Sequence, residues 1–485
     1  MLLFFFYFLL ISILILFFIK DQDLQSLRYF SLIASGVVFI YAIYLFLLFD
    51  CNNYYFQFVI RYLFTFEAFN ICLTFGLDGI SLFFFTLTTF LIFLCVLFVF
   101  EEKYLKYYLL NLFLIELFLL LVFSVLDIFL FYIFFESILI PMYLLIGIWG
   151  SRDRKVWAAY LLFFYTLCGS FLMLLGILYI YTITGTFNIE YLIEYPFSFN
   201  EQYWLWLAFF LSFASKIPIF PLHIWLPEAH VEASTVGSVL LAGILLKLGV
   251  YGFLRFSLTM FPEASYFFAP IVYVFCGIGI IYTSFAAIRQ TDLKRIIAYS
   301  SVAHMNLITL GLFSFNSFGL EGALLQSISH GFVASALFFL IGMIYRRYQT
   351  RFIYYYGGVT QVMPLFSFFF LFFTLANIAL PGTSSFVGEF LILIGLFLYN
   401  IKLMILASLS VVLGGSYSLW LCNKILFGNI KQLSLLKFYD LTKREFFIIF
   451  PLFLLVIIMG VLPYFWLKYL HFSLLMLNYN FLIFN

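Results

Sequence analysis

Seven ionisable side chains interrupt stretches that are otherwise apolar, and they are the residues of this sequence best suited to chemistry. Carboxylate, ammonium and imidazole groups each bind and release a proton, so a series of them at one level inside a membrane is what lateral proton transfer requires. The pattern therefore predicts a proton pathway. The residues that would carry it are Glu116, Glu136, Lys216, Lys247, His304, His330 and Glu389.

The cost of burial limits where the charged members of this set can point. Placing four charges in lipid would cost roughly 10 to 14 kcal/mol, at roughly 2.5 to 3.5 kcal/mol for each. These side chains must then face one another or water inside a helix bundle. An opposite charge nearby favours an ionised form, so the distance between a Lys and its Glu partner would control protonation. The four residues are Glu136, Lys216, Lys247 and Glu389.

Several of these residues also have a purely structural interpretation. A single His in the middle of a span commonly forms a hydrogen bond to a neighbouring helix, and this alternative is open for His304 and His330. Glu116 could serve only as a polar contact for the neighbouring helix of its helical hairpin. Pro218 and Pro381 are as typical of packing kinks as of gates. Charge is a costly way to join helices, which favours the functional interpretation for the Lys and Glu residues.

Composition indicates which elements must position these groups. Of the 485 residues, 66% are hydrophobic and only 9% are charged, which excludes a set of water-soluble domains. The 24 Lys and Arg balance the 22 Asp and Glu, so no basic face for nucleic acid is predicted. Apolar runs of about 20 residues match a bilayer core of roughly 30 Å. We count fourteen such spans, which predicts an all-α polytopic membrane protein with about 14 transmembrane helices.

Two of these spans are interrupted by proline. Span seven, 204–226, contains Pro218 and Pro221, and span twelve, 364–399, contains Pro381. Paired broken helices at matching positions are typical of internally repeated transporters, in which the freed backbone groups line a polar cavity. We therefore predict two five-helix repeats. The predicted segments are 1–106 with helices 1–3, 107–256 with helices 4–8, 257–426 with helices 9–13, and 427–485 with helix 14 and the tail.

Basic residues collect in the loops on one side of the predicted topology. This asymmetry predicts that those loops are cytoplasmic, or on the matrix side in a mitochondrion, and that both termini are on the opposite side. The basic residues are Arg152, Arg154, Lys155, Arg289, Lys294, Arg295, Arg346, Arg347, Arg351, Lys431, Lys437, Lys443 and Arg444.

The sequence lacks the common motifs of nucleotide binding, zinc proteases and nucleophile elbows. Its His and Cys residues are too dispersed to predict haem or iron-sulfur ligation. We therefore expect no cofactor in this chain and no redox or hydrolytic chemistry of its own.

Four ordered segments closely resemble the antiporter-like membrane subunits of respiratory complex I. The segments are FYIFFESILIP at 131–141, LPEAHVEAS at 226–234, LKLG at 246–249 and AYSSVAHM at 298–305. The resemblance extends from about Gly76 to Glu389. Within the family, the branch of subunit 4, called subunit M in bacteria, fits best, because the other large members usually carry Lys where this chain has Glu389.

The resemblance implies a proton channel with two inverted half-channels around the broken spans, joined by a central hydrophilic axis. It also implies a subunit of NADH:ubiquinone oxidoreductase in the mitochondrial inner membrane, driven by quinone reduction in other subunits. The expected partners are lipids and the subunit 2 and subunit 5 relatives. The implied roles are a modulating pair, a central relay, connecting groups and an exit-side carboxylate, filled in turn by Glu136 with Lys216, Lys247, His304 with His330, and Glu389.

Two other functions stay open on the sequence. A subunit of a multisubunit cation/proton antiporter shares this fold and similar motifs, and sequence alone discriminates it weakly. A non-conducting membrane scaffold would keep its assembly role without proton transport. For the scaffold, replacing Lys247 by Ala would leave proton transport intact and lower assembly.

Overall fold

The computed structural model describes residues 2–53, 55–66, 69–99, 102–431 and 439–482, so Lys437 lies outside the described residues. Long helices dominate, and we number them in chain order. They are α1 Leu2–Phe18, α2 Leu24–Leu48, α3 Gly79–Phe98, α4 Leu105–Ser124, α5 Ile128–Ser137, α6 Leu139–Trp149, α7 Lys155–Thr184, α8 Ile189–Glu194, α9 Phe199–Lys216, α10 Trp225–Glu232, α11 Thr235–Leu240, α12 Leu246–Gly252, α13 Leu258–Met260, α14 Pro262–Arg289, α15 Leu293–Leu312, α16 Ser317–Tyr348, α17 Pro364–Asn377, α18 Ser384–Tyr399, α19 Ile401–Leu426, α20 Lys443–Val461 and α21 Pro463–Leu482.

The predicted class of a helical polytopic membrane protein is confirmed. Within the described residues, 10 helices or joined helix pairs are long and apolar enough to cross a membrane. Three shorter apolar helices, α1, α17 and α18, add to them. The count of fourteen spans stays a prediction.

Helix boundaries follow local sequence signals. Helix α3 begins after Asp78, whose side chain accepts a hydrogen bond from the Ser81 amide while the Ser81 hydroxyl binds back to the Asp78 backbone. The same capping box joins Thr442 and Glu445 at the start of α20. Each pair satisfies backbone N–H groups that a helix start leaves unpaired. These charged and hydroxyl residues therefore fix where two spans begin.

The two predicted broken helices are present. Helix α9 ends at Lys216, and residues 217–224 form turns that contain Pro218 and Pro221. Helix α17 ends at Asn377, and α18 starts only at Ser384. Proline lacks the N–H that continues a helix. Between α17 and α18 the backbone is left-handed at Ala379 and Gly382, with φ of 63° and 92°.

Three features of the backbone were not predicted. An antiparallel hairpin joins β1, Gln57–Phe66, to β2, Phe69–Leu77, with Gln57 opposite Leu77. The span 235–260 contains two π-helical segments, Leu241–Leu245 and Phe253–Ser257, on either side of α12. The apolar stretch Ile128–Trp149 is divided at Ile138 between α5 and α6. Insertions of π type recur at functional sites, and here they bracket the helix that carries Lys247.

The chain divides into two compact units, which we call the first and second unit. The first contains residues 1–216, 247–268 and 468–485, and the second contains 217–246 and 269–467. Both units contain an isolated β-bridge that precedes a helix, Asp127 with Asn188 in the first and Asp292 with Phe352 in the second.

Candidate functional site

In the first unit, Lys216 is the last residue of α9 and is only 3% exposed. Its Nζ lies 4.4 Å from the centroid of the Phe135 ring, and its charge interacts with the neighbouring carboxylate of Glu136. In the described part of the chain, no hydrogen-bond partner contacts this Nζ. The carbonyl end of a helix favours a cation, and an aromatic face adds to that attraction. Lys216 is therefore held by a ring, a helix end and a nearby acid.

Glu136 occupies the second-last position of α5, next to the break at Ile138. Ser170 of α7 lies beside its carboxylate. The family resemblance implies Glu136 and Lys216 as a pair, and the structure places them close enough to interact electrostatically. Because the two side chains share no direct hydrogen bond, a small movement of either helix would change the strength of this interaction.

Glu116 and Lys247 lie in the interior of the same unit. Both are 0% exposed, Glu116 in the middle of α4 and Lys247 on α12. Cys95 of α3 adjoins the Glu116 carboxylate. No described residue donates a hydrogen bond to either oxygen of that carboxylate. The structure thus places both groups inside the bundle, as the cost of exposing a charge to lipid requires.

In the second unit, three predicted residues form a compact cluster. His304 Nδ1 on α15 lies 3.1 Å from Glu389 Oε1 on α18. The ring centroids of His304 and His330 are 5.7 Å apart, with His330 on α16. All three side chains are less than 9% exposed. This distance is short enough for a hydrogen bond, but the ring lacks hydrogen-bond geometry, so a reorientation of His304 must precede direct proton transfer to Glu389.

Gln326 completes this cluster, and sequence analysis missed it. Its Nε2 donates a hydrogen bond of 2.9 Å to Glu389 Oε1, the same oxygen that His304 contacts. Gln326 precedes His330 by four residues on α16, so the two share a helix face. That spacing was the available signal. An amide carries no charge, and a search for ionisable groups therefore passes over it.

Glycines explain how α16 and α18 come close enough for this contact. A Cβ atom on Gly388 would lie 2.7 Å from the backbone nitrogen of Gln326, and one on Gly322 would lie 2.6 Å from that of Ile392. Seven residues beyond Gly388, a Cβ on Gly395 would lie 2.6 Å from Gly319. Small residues at helix interfaces allow such close backbone approach in membranes. Glu389, next to Gly388, is thereby brought to the Gln326 amide.

The predicted helix-break residues lie in turns of the second unit. The carbonyl of Pro218 accepts a hydrogen bond of 3.4 Å from Asn306, and Pro221 lies three residues further along the same turn segment. Pro381 lies between Ala379 and Gly382, in the turn segment that separates α17 from α18. Ser384, at the start of α18, shares a hydrogen bond of 2.8 Å with Ser329 of α16. Polar groups therefore take up the bonding that each break removes from a helix.

A second buried charge pair in the first unit was also missed. Arg255 Nη2 lies 2.7 Å from Asp78 Oδ2, and both side chains are less than 10% exposed. The guanidinium also lies 5.0 Å from the Phe56 ring centroid. Because Asp78 caps α3, the pair links that helix start to the second π-helical segment. It has the partners expected of a structural ion pair.

Metal ligands do not cluster in the part of the chain that the structure describes. No group of three or more His, Cys, Asp and Glu side chains there could hold a metal ion. The two candidate sites consist instead of neighbouring acids and bases, which are groups that can bind and release protons.

Comparisons with known proteins agree with this arrangement. The family described as NADH:quinone oxidoreductase/Mrp antiporter, TM, matches residues 125–414. The NADH-ubiquinone oxidoreductase chain 4 of Marchantia polymorpha is 52% identical over 464 residues, covering 95% of this chain and 93% of the relative. The NADH-quinone oxidoreductase subunit M of Rickettsia prowazekii is 42% identical over 456 residues, covering 93% of this chain and 92% of the relative.

A solved structure shows the same fold. A chain in the structure of respiratory complex I from Thermus thermophilus with bound NADH has a TM-score of 0.87 and 30% identity, covering 98% of this chain and 99% of that chain. The predicted resemblance, including the branch of subunit 4 and subunit M, is confirmed by these relatives. The chain therefore belongs to the family of antiporter-like membrane subunits of NADH:quinone oxidoreductase.

Proposed function

We propose that this chain translocates protons as a membrane-arm subunit of an NADH:ubiquinone oxidoreductase, coupled to quinone reduction in other subunits. The observation that carries the proposal is the buried contact between His304 and Glu389. An acid and a base that touch inside a membrane protein mark a proton relay by default. Relatives with 52% identity carry the name of that oxidoreductase, which supports this enzyme over the cation/proton antiporters that the same family includes.

In the first unit, the proposed mechanism is electrostatic. A carboxylate close to Lys216 favours its ammonium form, and a greater distance favours release of the proton. Lys216 is the last residue of a broken helix, and Glu136 lies two residues before Ile138, which separates α5 from α6. Movement at these two breaks would change the strength of the pair. The proton released from Lys216 would then pass to Lys247, the proposed central relay.

In the second unit, the proposed step is a direct transfer. An imidazolium at His304 gives its Nδ1 proton to Glu389 Oε1, so an N–H bond breaks and an O–H bond forms. The histidine becomes neutral and the carboxylate becomes a carboxylic acid. His330, whose ring adjoins that of His304, is the proposed source of the next proton. Glu389 would then release its own proton towards the exit side.

The proposed location is the mitochondrial inner membrane, with the basic loops in the matrix and both termini on the other side. Arg152 lies in a proposed matrix loop, and Glu201 begins α9 on the opposite side. Single Cys substitutions at these positions should react with an impermeant thiol reagent from opposite faces of sealed mitoplasts. The proposed neighbours are the subunit 2 and subunit 5 relatives, which cross-linking in the intact complex would identify.

The test of the function replaces Glu136 by Gln in the assembled complex. The variant should assemble but pump at least about tenfold more slowly, because it removes the charge that controls Lys216. Pumping is measured as the proton gradient formed by sealed vesicles during NADH oxidation. The matched control is Glu190→Gln, which removes an exposed carboxylate paired with Arg61 and should pump normally. Full pumping by the assembled Glu136→Gln variant would contradict the proposal.

Copurification separates this function from its alternative. The proposed subunit should purify with flavin-bearing and iron-sulfur-bearing subunits in a fixed ratio. A chain that exchanges sodium for protons and purifies without those subunits would instead be part of a cation/proton antiporter.

A further inference from the structure

The position of Gln326 points to a role beyond packing. It is 1% exposed, and its Nε2 donates to the Glu389 oxygen that His304 also contacts. A carboxylate only accepts hydrogen bonds, so it selects the NH2 side of the amide. The other side, Oε1, is buried and has no hydrogen-bond partner among the residues that the structure describes. Gln326 therefore keeps an unused acceptor beside a carboxylate that is proposed to take up a proton.

Protonation of Glu389 gives its carboxyl group an O–H that donates a hydrogen bond, where the ionised group only accepts. Once the Nδ1 proton of His304 has moved to Glu389, the new O–H can donate back to that nitrogen only until His304 takes up its next proton. From then on the O–H requires another acceptor, and a buried O–H without one is costly. Gln326 Oε1 supplies that acceptor if the amide turns over. The torsion about the terminal bond of a Gln side chain is broad, and its two ends are similar in size. A turn of this kind exchanges donor for acceptor and displaces no neighbouring helix.

We propose that Gln326 is an amide switch that presents Nε2–H to ionised Glu389 and Oε1 to protonated Glu389. The switch rests on the proposed proton-translocating function. Proton transfer breaks the N–H bond of His304, forms an O–H bond on Glu389 and moves no electrons. The amide itself gains and loses no proton. It acts as a positioning residue that keeps Glu389 at one place in both protonation states.

The close packing of α16 on α18 favours this role. Gly388 lets the Gln326 backbone approach α18, so the side chain spans a short and fixed distance. His304 can hydrogen-bond the carboxyl only while one of the two partners carries the shared proton. Gln326 can do so in either state, because an amide is both donor and acceptor. The amide therefore prevents Glu389 from turning away when His304 and Glu389 are both protonated or both deprotonated.

The test uses Gln326→Met in the assembled complex, since Met is unbranched and similar in length but has no amide. Pumping during NADH oxidation should fall about tenfold, the effect of losing a hydrogen bond to a charged group. The matched control is Gln202→Met in the first unit. Gln202 is also buried, but its amide bonds the Phe197 carbonyl and the Glu263 amide, groups that do not titrate. This control should pump normally.

A spectroscopic measurement separates a switch from simple support. With 13C in the glutamine side-chain carbonyls, infrared difference spectra between resting and NADH-oxidising complex should contain an amide band that Gln326→Met lacks. The band should also vanish in Glu389→Gln, because position 389 then no longer changes protonation. Unchanged pumping in an assembled Gln326→Met complex would overturn the switch. If that variant does not assemble, absence of a turnover-dependent glutamine band in the wild-type complex would overturn it.

These outcomes are distinct from failure of the proposed function. If Glu136→Gln pumps poorly while Gln326→Met pumps normally, proton translocation stands and the amide switch is wrong. If Glu136→Gln pumps normally, the proposed function itself fails.

Discussion

In both units, the same pattern of backbone hydrogen bonds precedes a helix that carries a candidate acid or histidine. In the first unit, Ile128 N donates to the Phe187 carbonyl and Ile189 N to the Leu126 carbonyl, both at 3.0 Å. In the second unit, Leu293 N donates to the Arg351 carbonyl and Ile353 N to the Thr291 carbonyl, also at 3.0 Å. These hydrogen bonds flank one bridged pair of residues in each unit. The pair is Asp127 and Asn188 in the first unit, and Asp292 and Phe352 in the second.

An aspartate caps the following helix in each unit. Asp127 accepts hydrogen bonds from two backbone amides at the start of α5, and Asp292 accepts one at the start of α15. The two bridged pairs are also separated by nearly equal lengths of chain, from 127 to 188 and from 292 to 352. We infer that this likeness reflects the internal repeat that paired broken helices predict.

The chemistry that follows these helix starts differs. Glu136 and Lys216 interact through space, with the ammonium over the ring of Phe135. His304, Gln326 and Glu389 share one carboxylate oxygen through short contacts. A pair that interacts only through space is easily modulated by distance, whereas an acid and a base 3.1 Å apart are close enough for proton transfer once the ring reorients. A repeated backbone thus carries two different functions, control in one unit and transfer in the other.

The largest expected effect is that of Lys216→Met. The substitution removes the ammonium group that interacts with Glu136 and leaves that buried acid without its partner. Removing one member of a buried charge pair commonly destabilises a protein by roughly 3–5 kcal/mol. Pumping should fall at least about tenfold. Lys155→Met is the control, because the Lys155 Nζ is an exposed donor to the Ile148 carbonyl. Both are assayed as proton gradients in sealed vesicles. Equal pumping by the two variants would remove the distinction between the units.

A pH titration tests the helix start of the first unit. Burial raises the pKa of Asp127 to about 6, against its two backbone hydrogen bonds, which lower it. The pKa of Asp in an unfolded chain is about 3.9. Between about pH 4 and about pH 6, the folded state therefore binds more protons than the unfolded state. Stability therefore falls as pH rises from about 4 to about 6, by about 3 kcal/mol in all, and is constant above that range.

The measurement compares thermal unfolding of wild type and Asp127→Asn between about pH 4.5 and pH 7.5. Asn caps a helix nearly as well as Asp but does not titrate, so the stability difference should change with pH in the direction just derived. Asp292→Asn, in the second unit, supplies the comparison. A difference for Asp127→Asn that stays constant with pH would show that this aspartate is not destabilised by burial.

Much of the fold was accessible from sequence, because hydropathy and proline act locally. The apolar runs gave the spans, and Pro218 and Pro381 located both breaks within a few residues. The hairpin of β1 and β2 was missed, since it lies between two predicted spans and short apolar runs do not by themselves identify a strand. The π-helical segments on either side of Lys247 were missed as well, because they depend on packing and have no distinct sequence pattern.

The candidate sites were accessible only in part. Burial of a charge is visible in sequence, and that identified Glu136, Lys216 and Glu389. Which of these groups touch depends on how closely helices pack. Gly388 determines how closely α16 and α18 pack in the second unit. The residue that it faces on α16, Gln326, lies more than sixty residues earlier in the chain. Neutral Gln326 is recognised only once the distance to Glu389 is known.

The next largest effect tests this packing. Gly388→Ala adds a Cβ that would lie 2.7 Å from the Gln326 backbone nitrogen, so α16 and α18 must separate. Overpacking of this kind costs about 1–3 kcal/mol, and the second unit's cluster should lengthen while the first unit's pair is unaffected. The unfolding temperature of the purified complex and its pumping should both fall. The control is Gly415→Ala, whose Cβ would be 3.7 Å from Ile378 Cγ2, and a matching loss there would contradict this account.

The smallest effect concerns the ring beneath Lys216. Phe135→Leu keeps an apolar side chain but removes the aromatic face, an attraction worth about 0.5–2 kcal/mol. Lys216 should then lie closer to Glu136 or release its proton more readily, so pumping should change by about twofold to tenfold. The control is Phe129→Leu on the same helix, because Phe129 stacks on Phe187 at 5.3 Å and has no cation over it. If both variants pump alike, the ring has no part in setting the state of Lys216, and the first unit depends on its acid alone.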